Sequence, residues 1–296
     1  MPQILLIIPV RSVDTLHRTL SMLSFQKDRS FSACVVDISG AGLARPVAAE
    51  FEDRLSLTVV ETAVTGTPVW KMCLEAAPAA EWVCFLRPDV DFSAQSMRRM
   101  RRCIKDHPAY DVFHWNLVEP FRKYRLKTRP DQLFLKVFTE GVEAPLSSFV
   151  FRAHTLRVAF TADPEAAGMD LAVILSAAAK TGIRTVRRER IGYRAPVKPE
   201  DPALVEKEVR ARLAFLRWSE RFFGKEYPLD TGERLDLFAR EVARLYPAYP
   251  PDRLKEDMNA FAVVNGPIRR MRAASALKAA IKAREAAPAA EDASSS

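Results

Sequence analysis

Short apolar runs alternate with amphipathic stretches through the first third of the chain. Gln3–Val10 is almost continuously apolar and reads as a buried strand, and Val13–Phe25 carries Leu16, Leu20 and Leu23 at helical spacing. Ser32–Asp37 predicts a second strand, followed by a Gly40-Ala41-Gly42 turn and a short helix through Phe51. Leu55–Val60 predicts a third strand, Pro68–Ala77 a helix and Trp82–Leu86 a fourth strand. Ser93 is placed to cap a helix running to about Asp106. Strands alternating with helices predict a mostly parallel sheet covered on both faces.

The stretch Asp111–Tyr193 is less regular. Val112–Asn116, Gln132–Phe138 and Ser147–Phe151 predict strands, and Leu171–Lys180 a helix closed by Gly182. From about Pro196 the pattern is helical, with Pro196, Pro199 and Pro202 marking the boundary. The expected organisation is an α/β domain over 1–195, a helical extension over 196–285, and a tail over 286–296 too polar and simple to pack.

Composition narrows the partners. The chain has 296 residues, 48% hydrophobic and 28% charged, with no run near the roughly 20 apolar residues of a membrane span. The apolar run at Ile4–Val10 has neither basic residues before it nor a small-residue cleavage site behind it, so a cytoplasmic protein is expected. A net charge of +8 favours anionic partners. No zinc-finger or RNA-recognition signature is present, so no specific nucleic-acid partner is expected. Cys34, Cys73, Cys84 and Cys103 form no Cys-x-x-Cys pair and read as reduced thiols, Cys34 and Cys84 as core positions. The four histidines are scattered, which argues against a zinc site.

Sheets of this kind bind ligands outside the carboxyl ends of their strands. The residues at those places are Pro9-Val10-Arg11-Ser12, Asp37-Ile38-Ser39, Glu61–Gly66 and Arg87-Pro88-Asp89-Val90-Asp91. Two of the four carry a carboxylate directly after the strand.

Ile7-Ile8-Pro9-Val10-Arg11-Ser12, then Leu16–Gln26, then Val35-Val36-Asp37, resembles the opening of the family-2 glycosyltransferases. Trp82–Asp91 resembles their fourth strand and Asp-x-Asp motif, with Pro88-Asp89-Val90 closest to rhamnosyltransferase-like members that build bacterial polysaccharides. The resemblance spans roughly residues 3–193. It implies a GT-A-type nucleotide-binding sheet sandwiched by helices, here with a C-terminal helical extension. It also implies an inverting enzyme that moves a sugar from a nucleotide-diphosphate donor to a glycan, lipid-linked or protein acceptor.

The same resemblance assigns roles. Asp89 matches the metal-binding acid for Mn²⁺ or Mg²⁺, with Asp91 either a further carboxylate or the start of a turn. Arg87 stands where the family has its first acid, a departure that suits direct phosphate pairing or weaker metal dependence. Pro9, Val10 and Arg11 line the base, and Asp37 accepts from a ring nitrogen, or else only starts a turn. Lys71 is a second candidate for the diphosphate, or a solvated helix residue.

Asp170, opening the helix after the acceptor strand, matches the general base, with Met169 where Glu is customary. Its plainer reading is an N-cap, with Asp163 and Glu165 as alternatives for the base. Because Arg87 and Met169 each replace an acid, a catalytically impaired GT-A-like scaffold is the alternative function. The run Arg98-Arg99-Met100-Arg101-Arg102 surrounds its helix and reads mainly as solvated. Ile268, Met271, Ala274, Leu277 and Ile281 recur among basic residues, which fits peripheral docking on anionic membrane or packing on the domain or a partner. The C-terminal helices also suit a homo-oligomer interface.

Overall fold

The computed structural model describes residues 3–10, 13–62, 68–87, 90–117, 127–140, 144–162, 169–193, 201–226, 249–250, 252–253 and 256. The chain divides into two compact units, one of residues 1–137 and 141–196, the other of residues 138–140 and 197–296.

The first unit opens with β1 (Ile4–Val10), α1 (Val13–Ser24), β2 (Phe31–Asp37), α2 (Ala44–Ala49), β3 (Leu57–Glu61), α3 (Val69–Ala76) and β4 (Trp82–Phe85). It continues with β5 (Val90–Asp91), α4 (Ser96–Asp106), β6 (Val112–Leu117), β7 (Lys127–Thr128) and α5 (Pro130–Glu140). Then follow β8 (Phe149–Arg152), α6 (Ala153–Ala162), α7 (Asp170–Ala178) and β9 (Ile183–Tyr193). The sheet runs β3-β2-β1-β4-β8-β6-β9, with short β5 and β7 both pairing with β9. The pairs β1–β2, β1–β4, β2–β3 and β6–β9 are parallel, while β8 lies antiparallel to β4 and β6. The sheet is therefore mixed in its second half.

Alternation along β1 sorts the two faces. Ile4, Leu6, Ile8 and Val10 pack against Leu16, Leu20 and Leu23 of α1, Ala44 and Ala48 of α2, and Met97, Met100 and Ile104 of α4. On the other face the Trp70 ring of α3 lies 4.9 Å from Phe85 of β4, and Phe85 lies 6.1 Å from Phe160 of α6. Cys34, Cys73 and Cys84 are buried, and burial pushes the thiols of Cys34 and Cys73 up to about 11 and about 12.

Three local expectations change. Gln132–Phe138 belongs to helix α5 and not to a strand. Pro130 and Asp131 open that helix, and Leu133 and Phe134 are buried. Ser93 does not cap α4: the N-cap is Gln95, and Ser93 accepts the Gln95 amide through its hydroxyl and the Ser96 amide through its carbonyl. Arg101 is not solvated, because its side chain is 5% exposed and its guanidinium donates to Asp28 at 2.6 Å.

The second unit contains α8 (Pro202–Phe223), started by Asp201, whose carboxylate accepts from the Ala203 amide at 2.9 Å. Val205, Val209, Leu213 and Leu216 form its buried stripe. The basic segment 267–284 and the tail 286–296 lie outside the described residues. Among the described residues no helix is long and apolar enough to cross a membrane.

Candidate functional site

The parallel register brings the ends of three strands level. Val10 of β1 lies beside Asp37 of β2, and Asp37 beside Glu61 of β3. The ladder runs one step further, with the Ile38 amide on the Val10 carbonyl and the Thr62 amide on the Asp37 carbonyl, both at 3.0 Å. On the opposite side of β1, Phe85 of β4 pairs with Ile7, and the Leu86 amide donates to the Ile7 carbonyl at 2.8 Å. Strand order reverses between β1 and β4, so the crevice outside their carboxyl ends is the expected ligand position. Pro9 and Val10 border it from β1 and Arg87 from β4.

Asp37 is 1% exposed and shapes its own loop. One carboxylate oxygen accepts the Ser39 amide at 2.9 Å and the Ser39 hydroxyl at 2.5 Å, and the other accepts the Ala44 amide at 2.9 Å. Reaching Ala44 seven residues on requires the chain to double back. Gly40 and Gly42, at φ 74° and 64°, supply the left-handed backbone for it. Burial by itself raises the pKa of Asp37, but the Ser39 hydroxyl and the Ala44, Ser39 and Leu43 amides together hold it below the ordinary value. The turn-forming reading of Asp37 is thus realised in full: the four donors match the carboxylate's about four lone-pair positions.

Asp91 is held by an arginine. Both its oxygens accept from the Arg18 guanidinium of α1, at 2.7 and 2.8 Å, and both side chains are about half exposed. The guanidinium grips the carboxylate at both oxygens, so Asp91 straps α1 to β5. Among the described residues no group of three or more His, Cys, Asp and Glu could hold a metal ion.

Asp170 is the first residue of α7, not its cap: Met169 occupies the N-cap and makes no side-chain bond there. One Asp170 oxygen accepts from the Trp70 indole N–H at 3.0 Å and the other from the Leu146 amide at 3.3 Å. Trp70 in turn lies on Phe85, the last residue of β4. The indole therefore brings the α7 carboxylate to the carboxyl edge beside the switch point. Leu146 lies in the 3-10 turn Leu146–Ser148 that leads into β8.

Lys71 is half-buried on α3, the residue after Trp70. Arg87 is half-buried after β4, and its carbonyl accepts the Val90 amide at 3.2 Å. Arg11, Asp89, Asp163 and Glu165 lie outside the described residues. Trp70 and Arg18 have no counterpart in the sequence reading. Trp70 meets its partner across 100 positions, so no local spacing announces it.

A recess of about 800 Å³ opens at the opposite, amino edge of the sheet, bordered by Gln3, Glu81, Lys105 and Arg152. Its arginine is already neutralised, by Asp111 at 2.7 Å and Glu81 at 3.0 Å, over the Trp82 ring. Asp37, Arg87 and Asp170 lie at the carboxyl edge.

No protein-family model and no curated protein sequence matches the chain. Solved structures do. Residues 1–349 of S. aureus TarS superpose with a TM-score of 0.55 at 14% identity, covering 96% of this chain and 91% of that one. The same protein in complex with UDP-GlcNAc gives 0.53, with 96% and 92% covered at 14% identity. A mannosyltransferase from Pyrobaculum calidifontis in complex with GDP-Man and Mn²⁺ gives 0.50 at 16% identity, covering 96% and 87%. The fold is that of the GT-A glycosyltransferases, a mixed sheet with flanking helices.

Proposed function

We propose that the chain is a glycosyltransferase that takes a nucleotide-diphosphate sugar and passes the sugar, with inversion, to a hydroxyl of a glycan, lipid-linked or protein acceptor. The observation that supports it most is the convergence at one sheet edge of the β1 and β4 ends with the Asp170 carboxylate, through Trp70 and Phe85. The bound UDP-GlcNAc and GDP-Man of the structural neighbours point the same way.

In this reading Pro9, Val10 and Arg11 line the nucleotide base, and Asp37 accepts a hydrogen bond from it in place of one of its loop donors. Asp170 removes the proton from the acceptor hydroxyl as that oxygen forms a bond to the anomeric carbon. The bond from the anomeric carbon to the diphosphate oxygen breaks on the opposite side, and the nucleoside diphosphate leaves. Lys71 and Arg87 supply positive charge to the departing diphosphate. Asp89 is the residue that would hold Mn²⁺ or Mg²⁺, which when bound acts as a Lewis acid on the diphosphate. Because Arg87 stands in place of an acid, part of that neutralisation falls to the protein's own cation. We place the protein in the cytoplasm, with the basic segment 267–284 against anionic membrane.

The test is a calorimetric titration of UDP, dTDP, GDP and their sugars, each with and without Mn²⁺. The expected result is binding of one nucleotide series, strengthened by metal, lost in Asp89→Ala and weakened in Asp37→Asn. No binding by any nucleotide under either condition sinks the enzyme reading and leaves the GT-A scaffold role.

A further inference from the structure

We infer that Trp70 is the positioning residue of the proposed base: its indole N–H fixes the Asp170 carboxylate at the sheet edge and favours its ionised form. The inference rests on the reading of Asp170 as general base. It is carried by three contacts on three different elements. The indole nitrogen of α3 donates to Asp170 at 3.0 Å, the same ring lies 4.9 Å from Phe85 of β4, and the second carboxylate oxygen is held by the Leu146 amide at 3.3 Å.

This arrangement suits a base better than it suits a cap. A capping carboxylate spends its oxygens on the amides of its own helix. Asp170 spends one oxygen on a side chain 100 positions away and the other on an amide 24 positions away. Two N–H donors fix the plane of the carboxylate, so the oxygen that receives the proton needs no reorientation at the moment of transfer. A donor to the charged form also keeps the group ionised to lower pH. Trp is suited to the task because its N–H only donates and its ring anchors on Phe85, so the donor cannot turn away.

Other ionisable groups on the elements packed around Asp170 are Lys71 and Glu75 on α3, His154 and Arg157 on α6, His114 on β6 and Arg87 after β4. Trp70→Phe removes none of them. It keeps an aromatic ring for Phe85 and deletes only the N–H, so a change in Asp170 titration isolates the indole.

The experiment has two arms on the full chain. The first follows ¹³C-labelled Asp carboxyls and the indole N–H signals of the four tryptophans against pH without ligand. One indole signal is expected to titrate together with Asp170, and in Trp70→Phe the Asp170 midpoint is expected to rise by about one pH unit. The second arm measures nucleoside-diphosphate release from UDP-GlcNAc and GDP-mannose, with water as acceptor, against pH. The acid limb of kcat in Trp70→Phe is expected to move upward by the same amount, with KM for the donor unchanged.

Asp170→Asn serves as the second variant should Trp70→Phe fail to fold. It keeps an oxygen for the indole, so the Trp70 signal is expected to stay in place but cease to titrate. An Asp170 midpoint unchanged by loss of the indole, or no indole signal coupled to it, overturns the inference and leaves the base reading standing. A shifted Asp170 midpoint with an unmoved acid limb, or turnover unaffected in Asp170→Asn, overturns both.

Discussion

Asp37 and Asp170 stand at the same edge of one sheet and are held in opposite ways. Asp37 is buried, and every donor on its carboxylate comes from the next seven residues of its own chain. Asp170 is half-buried, and its donors arrive from 24 and 100 positions away. The first carboxylate builds a loop and would do so in any protein carrying this local sequence. The second exists as a site only once α3, α7 and the turn before β8 have assembled. A locally saturated acid is a structural part with little capacity left over. An acid held by donors from distant elements is set in place by the assembled fold, and it is the one proposed as the base.

The largest effect that sharpens this contrast is on rate. Asp170→Asn is expected to lower donor turnover by about 100- to 10,000-fold, the usual worth of a positioned base. Its urea midpoint should change by the equivalent of no more than about 1 kcal/mol, since the amide oxygen still accepts from one donor. A large stability loss with turnover intact would make Asp170 a strut like Asp37. The converse change, Asp37→Ala, strands the Ser39 and Ala44 amides and is expected to cost about 2–3 kcal/mol, read by urea unfolding. Faster hydrogen exchange at Ala44 should accompany it.

The same contrast explains what the sequence made legible. The β3-β2-β1-β4 half was readable almost to the residue, because each strand is a short apolar run followed by an amphipathic helix and a turn. The Asp37 turn was readable too, since Asp, Gly40 and Gly42 are local signals. The second half was not. Gln132–Phe138 alternates well enough to mimic a strand, and only Pro130-Asp131 hints at the helix it forms. Helix α6 has Leu156, Ala159 and Phe160 on its buried face, but its weak amphipathicity gave no prediction. At the site, Asp170 could be placed at a helix start, yet Trp70 could not be joined to it. Arg18 likewise gave no sign of taking Asp91, and the density of charge around Arg101 concealed its buried pair with Asp28. Period and turn chemistry are written locally, whereas partners across 70 to 100 positions are fixed by packing.

A smaller effect separates the two halves by pH. His114 of β6 is buried against Phe149, its Nδ1 has no hydrogen-bond partner, and burial pushes it down from 6.5 to about 3. The unfolded chain therefore binds a proton that the native one refuses between those values. Stability from this group is complete above about pH 6.5 and is lost as pH falls toward 3. Asp37 behaves differently: its pKa is lowered, so its contribution is complete above the ordinary 3.8 and is lost only as pH falls below that value. His114→Leu is expected to flatten the urea midpoint between pH 6.5 and 4 and leave the steeper acid loss below that range in place. An unchanged slope would mean that the acid sensitivity of the β6 region has another source.

The smallest expected effect concerns the third acid of the edge, Asp91. Its pair with Arg18 is bidentate, but both side chains are 47% exposed, so solvent screens it. Asp91→Asn should cost no more than about 1 kcal/mol, and less at high salt. Its value lies in the comparison with Asp89→Ala, two positions earlier. A strap joining α1 to β5 can be weakened without touching the donor site, so Asp91→Asn should leave Mn²⁺-dependent nucleotide affinity unchanged while Asp89→Ala removes it. Were Asp91→Asn instead to reduce metal dependence at unchanged stability, the guanidinium would have to release the carboxylate when donor binds. Arg18→Met decides between the two. Freeing Asp91 from its partner would then strengthen the metal dependence, whereas a plain strap gives only the same small loss of stability seen from the other end.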